Sequence, residues 1–189
     1  MYIYKAAVIG AGTMGGGIAQ VISYSGLPVI IKDMDEERAK TGLEAARKIY
    51  QSRVNKGKMT SDEMEQKMVL ISISTDYNDF SDVDIVIEAV TENIEIKKKV
   101  FKELYESCPE TTILASNTSA LSISELGSVT KKPDKVIGMH FFNPAHVMKL
   151  IEVIPGLQTS NGTVDDVISF SESLRKIPVK VNECTGFLV

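Results

Sequence analysis

Cysteine is scarce in this chain of 189 residues: Cys108 and Cys184 stand far apart, in no CxxC spacing. That pattern excludes a disulfide framework and fits two reduced thiols in a reducing compartment. A basic excess is also lacking. The formal net charge is −4, so the broad cationic footprint of a nucleic-acid binder is missing, although local basic clusters remain possible. No apolar run approaches the ~20 residues of a membrane span. No secretory pattern precedes the first strand-like run, so a cytoplasmic protein without membrane association is expected. Internal repeats, low-complexity tracts and flexible linkers are absent. What is there is 43% hydrophobic and 24% charged, an ordinary globular composition in a chain long enough to bury a core without disulfides or metals.

Residues 4–10 (YKAAVIG) form a short apolar run closed by glycine, the pattern of a buried strand. Residues 14–25 read as a helix stopped by Gly26, and residues 28–33 (PVIIKD) as a second strand. From 35 to 67 Glu, Lys, Arg, Ala and Leu dominate, with a break at Gly57 and Thr60-Ser61. This predicts a long and a short helix, more than a minimal crossover needs, projecting from the sheet. Strands are predicted at 69–74, 84–88, 112–116, 135–142, 149–154 and 178–181. Helices are predicted at 93–107, 122–126 and 163–176, the last capped by Thr163 with Asp166 three residues on. The alternation predicts an α/β fold: a doubly wound, mainly parallel sheet with a helical hairpin excursion (about 35–67) after the second strand. The apolar tail 185–189 reads as a segment broken at a domain junction, making residues 1–189 one domain.

Gly10-Ala11-Gly12-Thr13-Met14-Gly15 matches G-x-G-x-x-G directly after a predicted strand and at the opening of a helix, a Rossmann-type fingerprint. Gly10 permits the tight turn, Gly12 lets a pyrophosphate approach the backbone, and Gly15 lets the helix pack on the strand. Thr13 and Met14 lie inside the same turn and join the candidate cofactor contacts. The helix N-terminus adds N–H donors and a positive dipole end. Gly16 and Gly17 prolong the glycine run at about 1 kcal/mol each in helix propensity, which points to close backbone contact there. Asp33 closes the second strand. It can accept hydrogen bonds from the adenosine ribose and would repel the extra phosphate of NADP, so NAD is the expected cofactor. A tight turn without ligand is the plain alternative.

His140 lies near the C-terminal end of a predicted strand, the edge where open α/β sheets bind ligands, and Glu152 lies on the next strand. Oxidising a secondary alcohol by hydride loss requires a base for the hydroxyl proton, which a neutral imidazole supplies near pH 7. A partner carboxylate fixes the ring and stabilises the imidazolium. Each residue alone would suit a structural or surface role. No metal is expected in the site.

Several segments together resemble the 3-hydroxyacyl-CoA dehydrogenases: GAGTMGGGIAQ (10–20), EAVTEN (88–93), ASNTS (115–119), GMHFFNP (138–144), MKLIEVI (148–154) and CTGFLV (184–189). They appear in order from Gly10 to Val189. The resemblance implies that His140 is the general base or acid, Glu152 its orienting partner, and Ser119 a hydrogen-bond partner of the reacting oxygen. It implies that Asn117 and Asn143 line the nicotinamide side, that Glu92 and Lys97 contact the cofactor's ribose and neighbouring groups, and that Ala89 offers backbone contact. Arg53, Lys56 and Lys58 become candidates for the CoA phosphates of an acyl-CoA substrate. Ser119 would equally suit a helix N-cap, Glu92 and Lys97 an exposed helical charge pair, and the three basic residues a solvated face. His146 reads as loop, and the Met and Phe residues as core.

The family carries a C-terminal helical domain, expected to be absent from this chain, that supplies most of a homodimer interface and one wall of the cleft. The implied reaction is the NAD-dependent interconversion of L-3-hydroxyacyl-CoA and 3-ketoacyl-CoA, on a short chain such as 3-hydroxybutyryl-CoA, in fatty-acid or butyrate metabolism. Two other readings stand beside it: a related dehydrogenase of a free hydroxy acid or sugar acid, and a non-catalytic NAD-binding module. The basic hairpin leans against the first. The presence of Ser119, His140 and Glu152 together leans against the second.

Overall fold

The computed structural model describes residues 1–184, so the tail read as a domain junction lies outside the described residues. The chain runs β1 (Ala6–Ile9), α1 (Gly15–Tyr24), β2 (Val29–Lys32), α2 (Glu36–Asn55), α3 (Ser61–Met68), β3 (Ile71–Ser74), β4 (Ile85–Glu88), α4 (Ile94–Ser107), β5 (Ile113–Ser116), α5 (Ile123–Ser128), β6 (Val136–Phe141), β7 (Leu150–Pro155), α6 (Asn161–Ser173) and β8 (Ile177–Lys180). One sheet forms in the order β3-β2-β1-β4-β5-β6-β7-β8. β1 to β6 pair in parallel, β7 returns antiparallel to β6, and β8 runs parallel to β7. This is the doubly wound, mainly parallel sheet predicted.

Helices cover both faces, which is why the central strands are apolar throughout. Every residue of β1, β4 and β5 is buried. Alternation sorts them: Ala6 and Val8 join the core with Ile18 and Ile22, whereas Ala7 and Ile9 join the core with Phe101 and Leu104. The chain winds outward from β1 to β3 and then jumps back to lay β4 on the other side of β1. The crevice between β1 and β4 is therefore the topological switch point, where α/β sheets bind ligands. No helix among the described residues is long and apolar enough to cross a membrane.

Four expectations need correcting. The hairpin exists, but α2 lies along α1 instead of projecting. Ala39, Gly42, Ala46 and Tyr50 form its buried face, and the Tyr50 hydroxyl bonds Ser23 at 2.8 Å. The contact is close because both helices bring glycine to it: a Cβ on Gly16 would sit 2.6 Å from the Gly42 carbonyl oxygen. β3 begins at Ile71, since the last turn of α3 carries on through Val69, whose N–H reaches the Glu65 carbonyl. α5 is capped by Ser122, not Ser119, because the Thr118 hydroxyl already accepts from the Ala120 and Leu121 N–H groups. α6 starts earlier than predicted, capped by Ser160. Thr163 is its third residue, donating its N–H to Ser160 and its hydroxyl to the Asp134 carbonyl.

α6 ends in a tight, doubly bonded turn. Lys176 N–H bonds the Ser171 carbonyl and Arg175 N–H the Glu172 carbonyl, the paired bonds of a Schellman stop. That stop puts its turning residue in the left-handed region, and Arg175 has φ 61°. Glycine is the usual occupant, and any other L residue pays about 1–2 kcal/mol in strain.

Candidate active site

The glycine turn between β1 and α1 forms one wall. Gly10 has φ 97°, and a Cβ there would lie 2.8 Å from the Ala89 carbonyl oxygen. At Gly15 a Cβ would lie 1.8 Å from the Gly10 oxygen. Both positions are closed to side chains by the packing of turn on helix and of β1 on β4. Gly12 differs: nothing lies within 4 Å of its would-be Cβ. Its missing side chain leaves the outer surface of the turn bare, with the unpaired N–H groups of the α1 N-terminus beside it. Asp33 braces the turn, accepting from Ala11 N–H at 2.7 Å and Met34 N–H at 2.7 Å. A carboxylate has about four acceptor sites, so others remain for a ribose. The extended glycine run answers to helix packing at Gly16, while Gly17 makes only ordinary contact with Ala145 at 3.5 Å.

The opposite wall follows β4. Its last residue, Glu88, is fully buried and accepts twice from Lys97, at 2.7 and 3.0 Å, and once each from the Ser116 hydroxyl and Val90 N–H, both at 2.7 Å. Burial pushes the Glu88 carboxyl up against the pull of these donors. The pair pins the loop 89–92 where it crosses Gly10. Glu92 lies 3.5 Å from the Lys97 ammonium and accepts from the Thr118 hydroxyl, Ser119 N–H and Ser119 hydroxyl at 2.5, 2.9 and 3.3 Å. Burial works to raise the Glu92 carboxyl, but Thr118, Ser119 and Lys97 together hold it below its usual range.

The third side comes from β6 and β7. Their antiparallel register sets His140 directly opposite Glu152, and His140 Nδ1 meets Glu152 Oε2 at 2.8 Å. Glu152 is almost wholly buried, at 1% side-chain exposure, whereas His140 keeps 15%. Asn117, at the end of β5, accepts Phe141 N–H at 2.8 Å and so ties that strand end to the histidine's neighbour. The three sides enclose a cleft of about 440 Å³ lined by Gly12, Thr13, Met14, Ala89, Val90, Thr91, Glu92, Asn117, Ser119, His140, Phe141, Phe142 and Asn143.

Most of the sequence-predicted cofactor and catalytic residues therefore converge. Gly10 and Gly15 lie under the turn, Asp33 beside it, and Glu152 behind the histidine. Lys97 is the exception. With none of its side chain exposed, it is neither an exposed charge pair nor a surface presented to the cleft, and it reaches the cleft through Glu92. The three basic residues of the hairpin separate. Lys56 and Lys58 are exposed beyond α2, while Arg53 folds back, donating to the Tyr24 hydroxyl at 2.9 Å. His146 stays in the loop and outside the cleft. Burial lowers its pKa, helped by the charges of Lys176, Arg53 and Lys56. Phe142, read as core, belongs to the cleft, its ring centre 4.5 Å from that of His140. Sequence reasoning also gave Glu88 no role. Its signal was a charge closing an otherwise apolar strand.

Comparison with known proteins identifies the family. Residues 5–184 match the family described as 3-hydroxyacyl-CoA dehydrogenase, NAD binding domain. The glyoxysomal fatty acid beta-oxidation multifunctional protein MFP-a of Brassica napus is 45% identical over 187 residues, covering 99% of this chain and 26% of that protein. The fatty acid oxidation complex subunit alpha of Pseudomonas syringae pv. syringae is 44% identical over the same shares. The chain thus spans about a quarter of the length of these curated relatives. Among solved structures, the (S)-3-hydroxybutyryl-CoA dehydrogenase PaaH1 of Ralstonia eutropha superposes with a TM-score of 0.97 at 41% identity, covering 100% of this chain and 66% of that one. The 3-hydroxybutyryl-CoA dehydrogenase of Escherichia coli gives 0.95 at 38% identity, covering 98% and 39%.

Proposed function

The chain belongs to the 3-hydroxyacyl-CoA dehydrogenase family through its NAD-binding domain, and from that premise we propose that the whole enzyme interconverts L-3-hydroxyacyl-CoA and 3-ketoacyl-CoA. His140 and Glu152 act as its acid–base pair. The substrate proposed is short, of the 3-hydroxybutyryl class, as for the Ralstonia eutropha and Escherichia coli dehydrogenases that the chain resembles. The observation that carries the reading is the 2.8 Å His140–Glu152 contact, with His140 opening on the cleft that Gly12 and the loop 89–92 also line.

NAD fits the cleft: Gly12 leaves the turn bare for a pyrophosphate, and the Asp33 carboxylate stands beside it for a ribose. When bound, NAD supplies the hydride acceptor of the oxidation and, reduced, the donor of the reverse reaction. The chain's own work is proton handling and orientation. Glu152 holds Nδ1, which leaves Nε2 to take the hydroxyl proton as the alcohol is oxidised and to return it on reduction. The buried carboxylate stabilises the imidazolium formed in that step. The Ser119 hydroxyl, aligned by Glu92, would hydrogen-bond the reacting oxygen. Asn117 and Asn143 shape the nicotinamide end. Arg53, Lys56 and Lys58 supply positive charge for the CoA phosphates.

The family's C-terminal helical domain would complete the cleft and form the homodimer. The domain described here is expected to bind NADH and to turn over acyl-CoA poorly by itself. The test compares NADH oxidation with acetoacetyl-CoA by this chain and by a version carrying the helical domain, alongside NADH and NADPH binding to both. Reduction of acetoacetyl-CoA only by the longer version, with preference for NADH, is expected. No reduction by the longer version would overturn the reading.

A further inference from the structure

Glu183 grips the start of α5 from 61 residues away along the chain. Its Oε1 accepts the Ser122 hydroxyl at 2.7 Å and the Ser124 N–H at 2.9 Å, and its Oε2 accepts the Ser124 hydroxyl. It follows closely on Val181, whose N–H bonds the Val153 carbonyl at the end of the β7–β8 ladder. Burial works to raise the Glu183 carboxyl, but the Ser124 and Ser122 donors hold it below its usual range. It therefore stands ionised at neutral pH. Capping alone does not call for it. Ser122 caps α5 by accepting the Glu125 N–H, and a cap uses only the acceptor side of the hydroxyl. The donor side goes to Glu183.

The gripped turn closes a short arc that begins in the cleft. Asn117 N–H bonds the Glu88 carbonyl at 2.7 Å, and its side chain accepts the Phe141 N–H. Thr118 takes the Ala120 and Leu121 N–H groups, and Glu92 takes the Ser119 N–H. At the far end Ile123 is buried on the sheet. A Cβ on Gly138 of β6 would lie 3.0 Å from its Cδ1, and one on Gly156, just past β7, 3.0 Å from the Ser124 nitrogen. The Ser124 hydroxyl also accepts the Leu157 N–H at 2.8 Å. Two carboxylates thus hold the arc 118–124: Glu92 from the β4 side, Glu183 from the chain past β8. Ser119 lines the cleft with His140. Its hydroxyl reaches Glu92 only at 3.3 Å, a long bond for a hydroxyl donor. Glu92 aligns it loosely, and the backbone of the arc sets its place.

We infer that Glu183 is a positioning residue for the reaction: it fixes the far end of the arc, so that the Ser119 hydroxyl keeps its place beside the reacting oxygen. This role rests on the acyl-CoA reading above. Glu183 itself lies outside the cleft lining and touches neither cofactor nor substrate there. Removing its carboxylate would release two hydroxyls and one N–H at the turn. The glycine turn, Asp33 and the Lys97–Glu88 pair would keep their contacts, so the cofactor wall would stand. What moves is the arc. A misplacement of about 1 Å caused far from the chemistry can cost up to ~10²-fold in rate, so a grip at Ser122 and Ser124 is felt at Ser119.

A double-mutant cycle in the enzyme with its helical domain tests this role, read as kcat for acetoacetyl-CoA reduction and as NADH affinity. Glu183→Ala should lower kcat about tenfold with NADH affinity unchanged. Glu183→Gln keeps one acceptor oxygen and should lose less, about threefold. Ser119→Ala should lose at least as much as Glu183→Ala. Added to Ser119→Ala, the Glu183→Ala change should then cost less than about twofold, because the hydroxyl it places is gone. Losses that multiply in the double variant, or an unchanged kcat in Glu183→Ala, overturn it and leave the grip a stabilising contact only. If Glu183→Ala fails to bind NADH, its fold is lost, and Glu183→Gln closes the cycle under the same two outcomes. Failure of the dehydrogenase reading looks different: the unsubstituted enzyme leaves acetoacetyl-CoA unreduced, which ends both readings, whereas the outcomes above end only this one.

Discussion

Two hydrogen-bonded pairs of titratable side chains lie near the C-terminal ends of β4 and β6 and are built alike. His140–Glu152 joins β6 to β7 at 2.8 Å, and Lys97–Glu88 joins α4 to β4 at 2.7 Å. They differ in access. His140 keeps 15% of its side chain exposed beside the cleft, while Lys97 and Glu88 expose none. A sealed pair has no route for a proton to or from a substrate, so its work is shape: it pins the loop 89–92 under which Gly10 turns. A pair open on one side can hold one nitrogen and work with the other. The contact distance alone would not have told them apart.

The sharpest way to break this contrast is His140→Gln in the enzyme with its helical domain. Its turnover of acetoacetyl-CoA should fall ~10²–10⁴-fold, the usual share of general acid–base catalysis, with NADH affinity and thermal midpoint nearly unchanged. Glu152→Gln should lose less, about 10²-fold, because an amide oxygen can still accept from Nδ1 but carries no charge to steady the imidazolium. Full activity in either variant would strip the open pair of its chemical role.

The sealed pair should show the opposite signature. Lys97→Met leaves the Glu88 carboxylate buried without its cation and should cost ~3–5 kcal/mol of stability, read as a lowered urea midpoint. Adding Glu88→Gln should recover much of that, since an amide removes the uncompensated charge and can still accept from Val90 N–H and the Ser116 hydroxyl. An unshifted urea midpoint in Lys97→Met, together with lost turnover, would mean that the two pairs share one role.

The contrast also marks where sequence reasoning stops. The glycine turn, the switch point and the alternation of strands and helices were legible, because each rests on local pattern and on few topological options. The convergence of His140 and Glu152 was legible as an expectation, but the register that realises it depends on β7 turning antiparallel. Lys97 stood among the expected cofactor contacts, with an exposed charge pair as the alternative; its burial against Glu88 was not legible, because α4 is otherwise rich in exposed Lys and Glu and a helix pattern does not say which lysine meets a buried acid. Phe142 looked like core because an aromatic next to a buried strand usually is. The position of α2 turned on Gly16 meeting Gly42, a contact between residues distant in sequence. The cap of α5 fell to Ser122 because Thr118 takes the N–H groups next to Ser119, and α6 was read as starting at Thr163, whose hydroxyl instead bonds the Asp134 carbonyl while Ser160 caps the helix.

The smallest expected effect concerns Glu92, which touches both regions: 3.5 Å from the Lys97 ammonium and bonded to Ser119 on the cleft side. Its folded-state pKa lies below the usual 4.5, burial being outweighed by Thr118, Ser119 and Lys97. A carboxyl depressed on folding adds stability above its unfolded value, and that stability is lost as pH falls through the folded value. Its side chain is 41% exposed, so solvent screening keeps the contribution at or below about 1 kcal/mol. Glu92→Gln should therefore melt slightly below the parent chain at pH 7, and the gap should narrow as pH is lowered past 4.5, because the parent then loses the same charge. Melting curves of both chains taken from neutral to acid pH read this directly. A gap that stays constant to acid pH would show hydrogen-bond shape, and not charge, joining the sealed pair to Ser119, and the electrostatic link between the two regions would be gone.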